Sequence, residues 1–246
     1  MSYSRWDAQG NVYLLTAERG LTPERVREDV GDADGILEVV AVHGTEAEIV
    51  IWNPDGSTAE LSGNGTRIAA RWLAERARAD EVRIRVGPRE VVARLLPDGL
   101  VEQDMGAVEV YERERVAGLE VTAVSVGNPH AVVVGDPDDL PLIGPLLETH
   151  PRYPNRTNVQ VARIDAPGQV TARVWERGAG ETLASGSSAC AVAAACVRLG
   201  YTDRAITVVM DGGLLHLQVD DDYRIQLSGD ATIVYRGTLA ATFVTP

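Results

Sequence analysis

Ser62-Gly63-Asn64-Gly65-Thr66, running into Arg67-Ile68-Ala69-Ala70-Arg71-Trp72-Leu73, joins a turn-rich lead-in to an alanine-rich helical pattern. A second stretch of the same design lies half a chain later. There Ser185-Gly186-Ser187-Ser188-Ala189 opens an apolar run from Cys190 to Val197. Both lead-ins are acidic and rich in glycine or turn formers: Asn53-Pro54-Asp55-Gly56-Ser57-Thr58-Ala59-Glu60 and Glu176-Arg177-Gly178-Ala179-Gly180-Glu181-Thr182. A helix start presents unpaired backbone N–H groups and positive dipole potential, so it attracts a carboxylate. Two such starts in a self-similar chain point to two half-sites acting on one small anionic substrate.

Around these junctions short Val- and Ile-rich segments bounded by Gly, Pro or Asp read as strands: 46–52, 81–86, 90–96, 121–126, 130–134, 157–163, 169–175, 205–210, 214–219 and 232–235. Helices are expected over 23–30, 66–78, 140–150 and 187–199. The first glycine-led helix carries Arg67, Arg71, Glu75 and Arg76 and should keep one wet edge. The second has no charge from Cys190 to Val197 and should be buried on nearly all sides. The charged segment 110–118 has no strong period and reads as a crossing between domains. The fold expected is α/β (α+β), with two pseudo-symmetric domains. Each would be a curved sheet or barrel around a long central helix, with the active site in the cleft between them. The domain spans are 1–114, completed by a C-terminal strand at 235–246, and 115–234.

Composition removes several classes of function. The chain has 246 residues and a net charge of −13 with no basic block, which argues against a nucleic-acid partner and for a solvated acidic surface. No apolar run reaches the ~18 residues of a membrane helix, and the polar start, with Arg5, Asp7 and Gln9, has no signal-peptide core, so no membrane partner and a cytoplasmic setting are expected. All 23 basic residues are arginine. Without lysine there is no Schiff base for pyridoxal phosphate and no P-loop. The histidines His43, His130, His150 and His216 form no metal spacing, so no metal site is expected. Cys190 and Cys196 sit in an apolar helical stretch and read as core residues.

The residues then resemble a known family. Asn53-x-Asp55-Gly56-Ser57-x-Ala59-Glu60-x-x-Gly63-Asn64-Gly65-x-Arg67 resembles the first signature of diaminopimelate epimerase, and Glu176-Arg177-Gly178-x-Gly180-Glu181-Thr182-x-x-x-Gly186 resembles the second. Gly10-Asn11, Val126-Gly127-Asn128-Pro129-His130 and Arg156-Thr157-Asn158-Val159 follow in family order, with a family-like tail at 227–243. The resemblance implies an isomerase of lysine and peptidoglycan-precursor synthesis that interconverts LL- and meso-diaminopimelate with no cofactor. It also implies two domains related by a pseudo-twofold, and a homodimer. In the family, two cysteine thiols work on opposite faces of the substrate Cα, one as base and one as acid. It further implies substrate contacts from Asn11, Asn53, Asn128, Asn158 and Arg177 at the distal amino-acid end. Backbone N–H groups near Gly63-Asn64 and Gly186-Ser187 would meet the reacting carboxylate, and Glu176 the reacting ammonium. His130 would be a packing or substrate neighbour. Val12 stands where the family commonly has an acidic residue.

The catalytic positions depart from the pattern: Ser62 and Ser185 stand where the family has cysteine. A hydroxyl is about 5 pKa units less acidic than a thiol, so reaching the anion costs about 7 kcal/mol more. Taken alone, that is roughly a 10⁵-fold loss in rate. The alternatives left open are a slow or altered isomerase, a non-catalytic diaminopimelate-binding homologue, and a deliberate double Cys→Ser change that traps substrate. Ser188, where the family usually keeps glycine, favours natural divergence over deliberate change. A further alternative is a phenazine-pathway-like isomerase with a carboxylate base, which requires Asp or Glu beside both serines.

Overall fold

The computed structural model describes residues 2–237, which separate into two compact units with the boundary between Gln103 and Asp104. The first unit holds the chain up to Gln103 and takes it up again from Gly229; the second is Asp104–Ser228. The expected division at 114 thus lies ten or so residues downstream of the boundary found. Most of the expected C-terminal strand at 235–246, and the last six residues of the tail at 227–243, fall outside the described residues.

In the first unit β1 (Tyr3–Ala8), β2 (Asn11–Thr16), α1 (Pro23–Asp29), β3 (Gly35–His43), β4 (Glu46–Trp52), β5 (Thr58–Ala59), α2 (Gly63–Ala77), β6 (Glu81–Val86) and β7 (Arg89–Leu95) follow in order. Strand β8 (Val101–Ala107) carries the chain onward. The second unit contains β9 (Glu109–Val116), β10 (Leu119–Ser125), β11 (Pro129–Val134), α3 (Leu140–Glu148), β12 (Asn158–Ala166), β13 (Gln169–Glu176), β14 (Gly180–Thr182), α4 (Gly186–Arg198), β15 (Ala205–Met210), β16 (Gly213–Val219) and β17 (Arg224–Gly229). Strand β18 (Thr232–Gly237) returns to pair with β1.

The pairing patterns of the two units repeat each other strand for strand. In the first, β18, β1 and β2 are antiparallel neighbours, β2 runs parallel to β3, and β3 antiparallel to β4. Strand β4 then pairs antiparallel with β5 and parallel with β6, and β6, β7 and β8 close the series antiparallel. In the second unit β9, β10, β11, β12, β13, β14, β15, β16 and β17 repeat that order of parallel and antiparallel neighbours. The strand corresponding to β9 is β18, so the first unit draws its last strand from the far end of the chain. The segment 110–118, expected as a crossing, is mostly β9, a ladder partner of β10 with seven of its eight residues at least partly wet. Its charges conceal the strand because few of its side chains enter the core.

Each unit wraps its strands around one helix. Helix α2 packs on β1, β2, β4, β6 and β7, burying Ile68, Ala69, Ala70 and Leu73. Helix α4 meets β9, β10, β11, β12, β13, β15 and β16, so every residue from Ala189 to Cys196 is fully buried. This is why that run carries no charge. Burying Ile or Leu side chains at such positions contributes roughly 1.5–3 kcal/mol each. Helix α3 lies on β12 and β13, where Gly144 leaves room for the Trp175 indole; a Cβ there would stand 2.7 Å from the ring. Among the described residues no helix is long and apolar enough to cross a membrane.

Burial pushes the Cys196 thiol up to about 12, and Cys190 is equally enclosed. Neither sulfur is open to solvent. Iodoacetamide should leave both unmodified in the native protein and alkylate both after denaturation, as read by mass spectrometry; rapid native labelling would contradict the core assignment.

Candidate functional site

In the first unit the β1–β2 turn uses two left-handed residues, Gln9 (φ 58°) and Gly10 (φ 75°), whose twist suits a two-residue hairpin. The turn delivers Asn11 to the start of β2. Two residues on, Tyr13 faces Gly35 across the parallel β2–β3 ladder. Ser62 ends the extended lead-in (φ −137°, ψ 120°) and caps α2. Its Oγ accepts the Gly65 N–H at 3.0 Å and lies 3.2 Å from the Tyr13 hydroxyl. The helix starts at Gly63, three residues before the expected Thr66. The glycine motif is therefore the first turn of the helix itself, and Gly63 and Asn64 carry its leading N–H groups.

Arg67, expected on a wet edge, is fully buried. Its guanidinium donates to Asn64 Oδ1 at 2.8 Å, Gln9 Oε1 at 3.2 Å and the Asp230 carbonyl at 2.9 Å. It therefore ties the helix start to the β1–β2 turn. Arg71, Glu75 and Arg76 do keep a wet edge. Asn53 is used locally: its Nδ2 donates to Ser57 Oγ at 2.9 Å and its N–H to the Ser57 carbonyl at 2.8 Å.

In the second unit Ser185 has the same extended backbone (φ −147°, ψ 124°) and begins α4, yet its hydroxyl makes no capping bond. The nearest hydroxyl is that of Ser187, at 3.4 Å. Gly186 and Ser187 lead the helix, as Gly63 and Asn64 do in α2. Ser188, one position further, is buried and accepts from the Gln160 amide at 2.9 Å. The same Gln160 Nε2 donates to His130 Nδ1 at 3.0 Å, and His130 Nε2 lies 2.9 Å from Asn128 Oδ1. An amide nitrogen only donates, so Nδ1 of a neutral ring accepts and its proton sits on Nε2, directed at Asn128.

Asn158 bridges the neighbouring loops, donating to the Pro129 carbonyl at 3.1 Å and accepting the Arg177 N–H at 2.9 Å. The turn after β13 is clamped by Glu148, at the end of α3. Its carboxylate accepts from the Trp175 indole at 2.8 Å and the Gly178 N–H at 2.7 Å, and pairs with Arg156. Burial works against its charge, but those donors outweigh it and hold the carboxyl below the usual range. The first unit uses the same device: buried Glu38 accepts the Trp52 indole N–H at 2.9 Å just before Asn53.

The structure thus gathers Asn128, His130, Asn158 and Arg177 into one cluster, with Glu176 at the adjoining end of β13. It gathers Ser62, Gly63 and Asn64 around the start of α2, and sets Ser185, Gly186 and Ser187 at the start of α4. Among the described residues no carboxylate hydrogen-bonds either serine hydroxyl. Glu181 pairs with Arg173 at 2.6 Å and Glu60 is exposed. Sequence reading missed Tyr13, Gln160 and Glu148. Only the correspondence between the halves hints at the first: the ladders align Tyr13 with Gly35 as they align His130 with Asn158.

The family model for diaminopimelate epimerase matches residues 19–111 and 122–234. A diaminopimelate epimerase of Pelotomaculum thermopropionicum is 38% identical over 233 residues, covering 83% of this chain and 82% of that protein. One from Synechococcus elongatus is 36% identical over 275 aligned positions, covering 97% and 98%. In fold the chain is similar to a protein from Pseudomonas aeruginosa described as a predicted epimerase (TM-score 0.77, 17% identity, 97% and 98% covered). A hydroxyproline epimerase of Agrobacterium vitis is also similar in fold (TM-score 0.68, 13% identity, 96% and 92% covered). This chain belongs to the diaminopimelate epimerase family, and its relatives are isomerases by name.

Burial, more than the Arg177 charge, pulls the His130 imidazole down to about 3, with the Gln160 bond acting the other way. With the folded value below the unfolded 6.5, acid favours the unfolded chain. This contribution to stability is whole above pH 6.5 and is lost as pH falls toward 3. A ¹⁵N NMR titration should find His130 neutral, protonated on Nε2, at pH ~5. A midpoint near 6.5 would contradict the enclosed, amide-held ring.

Proposed function

We propose that this protein interconverts LL- and meso-diaminopimelate without a cofactor, as a step of lysine and peptidoglycan-precursor synthesis in the cytoplasm. Ser62 and Ser185 exchange protons with opposite faces of the substrate Cα. The observation that carries the reading is the repeated junction: a serine ends an extended segment and starts a buried helix, once in each unit. Epimerisation without an electron sink needs an acid and a base on opposite sides of one carbon, held at close range. The N–H groups of Gly63, Asn64, Gly186 and Ser187 take the reacting carboxylate, where the helix dipoles also favour the charge that develops as Cα loses its proton.

The distal amino-acid end falls to Asn11, Asn53, Asn128, Asn158 and Arg177, the arginine gripping its carboxylate through two N–H donors. Asn53 must give up its bond to Ser57 to take part. Glu176 receives the reacting ammonium, and His130, through Asn128, orients the amide that meets the substrate.

A second reading keeps the ligand and removes the chemistry: a diaminopimelate-binding homologue. It draws on Ser185, whose hydroxyl lies within reach of the Ser187 hydroxyl and, among the described residues, hydrogen-bonds no carboxylate or imidazole that could activate it. A carboxylate-base isomerase of the phenazine-pathway kind draws no support from the surroundings of the two serines.

Chiral chromatography after incubation with LL-diaminopimelate should detect the meso isomer. Ser62→Cys with Ser185→Cys should raise the rate by orders of magnitude, toward the roughly 10⁵-fold separating hydroxyl from thiol. Calorimetric binding without conversion would select the binder, and absence of both heat and conversion would remove both readings.

A further inference from the structure

Tyr13 has no part in the account above, yet it lies closest to the chemistry of the first unit. It is 7% exposed, and its hydroxyl stands 3.2 Å from Ser62 Oγ, which already accepts the Gly65 N–H at 3.0 Å. Close backbone approach fixes both partners. A Cβ at Gly35 would stand 2.8 Å from Tyr13 Cε1 and 2.5 Å from the Trp52 carbonyl oxygen. A Cβ at Gly65 would stand 3.3 Å from Ser62 Oγ and 3.0 Å from Leu37 Cδ2. The ring therefore lies against Gly35 and the serine against Gly65, with the two oxygens in hydrogen-bond range. In the second unit the equivalent ladder position holds His130, which contacts Asn128 and Gln160 instead of the serine.

We propose that Tyr13 acts through Ser62 as the proton reservoir of the first half-site, an inference that rests on the epimerase reading. In one direction the Cα–H bond breaks as Ser62 Oγ takes that proton, while the Ser62 hydroxyl proton passes to the Tyr13 phenolate. The negative charge moves from phenolate to the substrate carbanion. In the other direction the Tyr13 phenol gives its proton to Ser62 Oγ as the Ser62 proton forms the new Cα–H bond, leaving the phenolate. A phenol ionises near ~10, roughly 3 to 4 units below an aliphatic hydroxyl, so the relay recovers about 10³-fold of the rate that serine alone forfeits. The Gly65 N–H donated to Ser62 Oγ also favours anionic character there. The second half-site has no comparable group hydrogen-bonded to Ser185 among the described residues, which leaves the two faces chemically unlike.

The test is Cα proton exchange in Tyr13→Phe, which removes a single oxygen, measured in the wild-type and Ser62→Cys backgrounds. The relay predicts a loss of about 10²- to 10³-fold with Ser62 present and less than about threefold with the thiol in its place. Calorimetric affinity for diaminopimelate should hold within about twofold. Wild-type kcat/KM should climb with pH to a plateau as the phenol ionises, and Tyr13→Phe should erase that climb. Site-specific replacement of Tyr13 by 3-fluorotyrosine, a more acidic phenol of nearly the same shape, should move the plateau to lower pH. Equal losses in both backgrounds, an unchanged rate in Tyr13→Phe, or an unmoved plateau would overturn the relay while leaving the epimerase reading in place. A wild-type protein that binds diaminopimelate but exchanges no proton would overturn both.

Discussion

Each unit depends on a serine that must end an extended segment and begin a helix buried in its own strands. Ser62 and Ser185 share that backbone, with φ near −140° and ψ near 120°. At the start of α2 one position has to be small, because β3 crowds it. At Gly65 the methyl group of an alanine would press on Leu37 and on Ser62 itself. Packing constrains the loops as well. Glu38 and Glu148, both buried, hold the indoles of Trp52 and Trp175, the residues from which each lead-in departs. The first N–H groups of a helix have no partner within the helix itself, which suits a helix start to an anion.

The two junctions share their backbone but not their side-chain chemistry. Ser62 is capped by a backbone N–H and touched by a phenol, so its hydroxyl is held on two sides. Ser185 caps nothing, and the residue where a cap partner would sit, Ser188, is bonded to Gln160 and through it to His130 and Asn128. That chain of bonds fixes which way Asn128 turns its amide oxygen. The low, burial-driven pKa of His130 keeps the ring from reversing the arrangement when solution turns mildly acidic. The asymmetry suits a reaction in which one face loses a proton and the other gains one.

Much of the architecture was legible in the sequence where hydrophobic alternation was strong. Strands β4, β6 and β15 fall on the expected residues, and the uncharged run of α4 did announce burial on all sides. The misses have physical causes. β9 is charged and mostly wet, so its strand character comes from pairing with β10 and not from a core-facing pattern. Helix α2 begins at Gly63 because the capping geometry overrides the poor helix propensity of Gly and Asn. Arg67 looked like a surface charge; carbonyl and amide oxygens from two distant segments, at Gln9 and Asp230, enclose it. The signature residues of the site were readable as motifs, but Tyr13 was not, since an isolated tyrosine in an apolar strand gives no sign of the serine beside it.

The central claim is that separate hydroxyls serve the two faces of one carbon. It is tested most directly by following where solvent deuterium lands when each diaminopimelate isomer is turned over in heavy water to low conversion. With one proton donor per face, the product should carry deuterium at the inverted Cα while recovered starting material stays unlabelled, from either isomer. Equal label in product and recovered substrate, or none in the product, would mean a single group works both faces and would contradict the account.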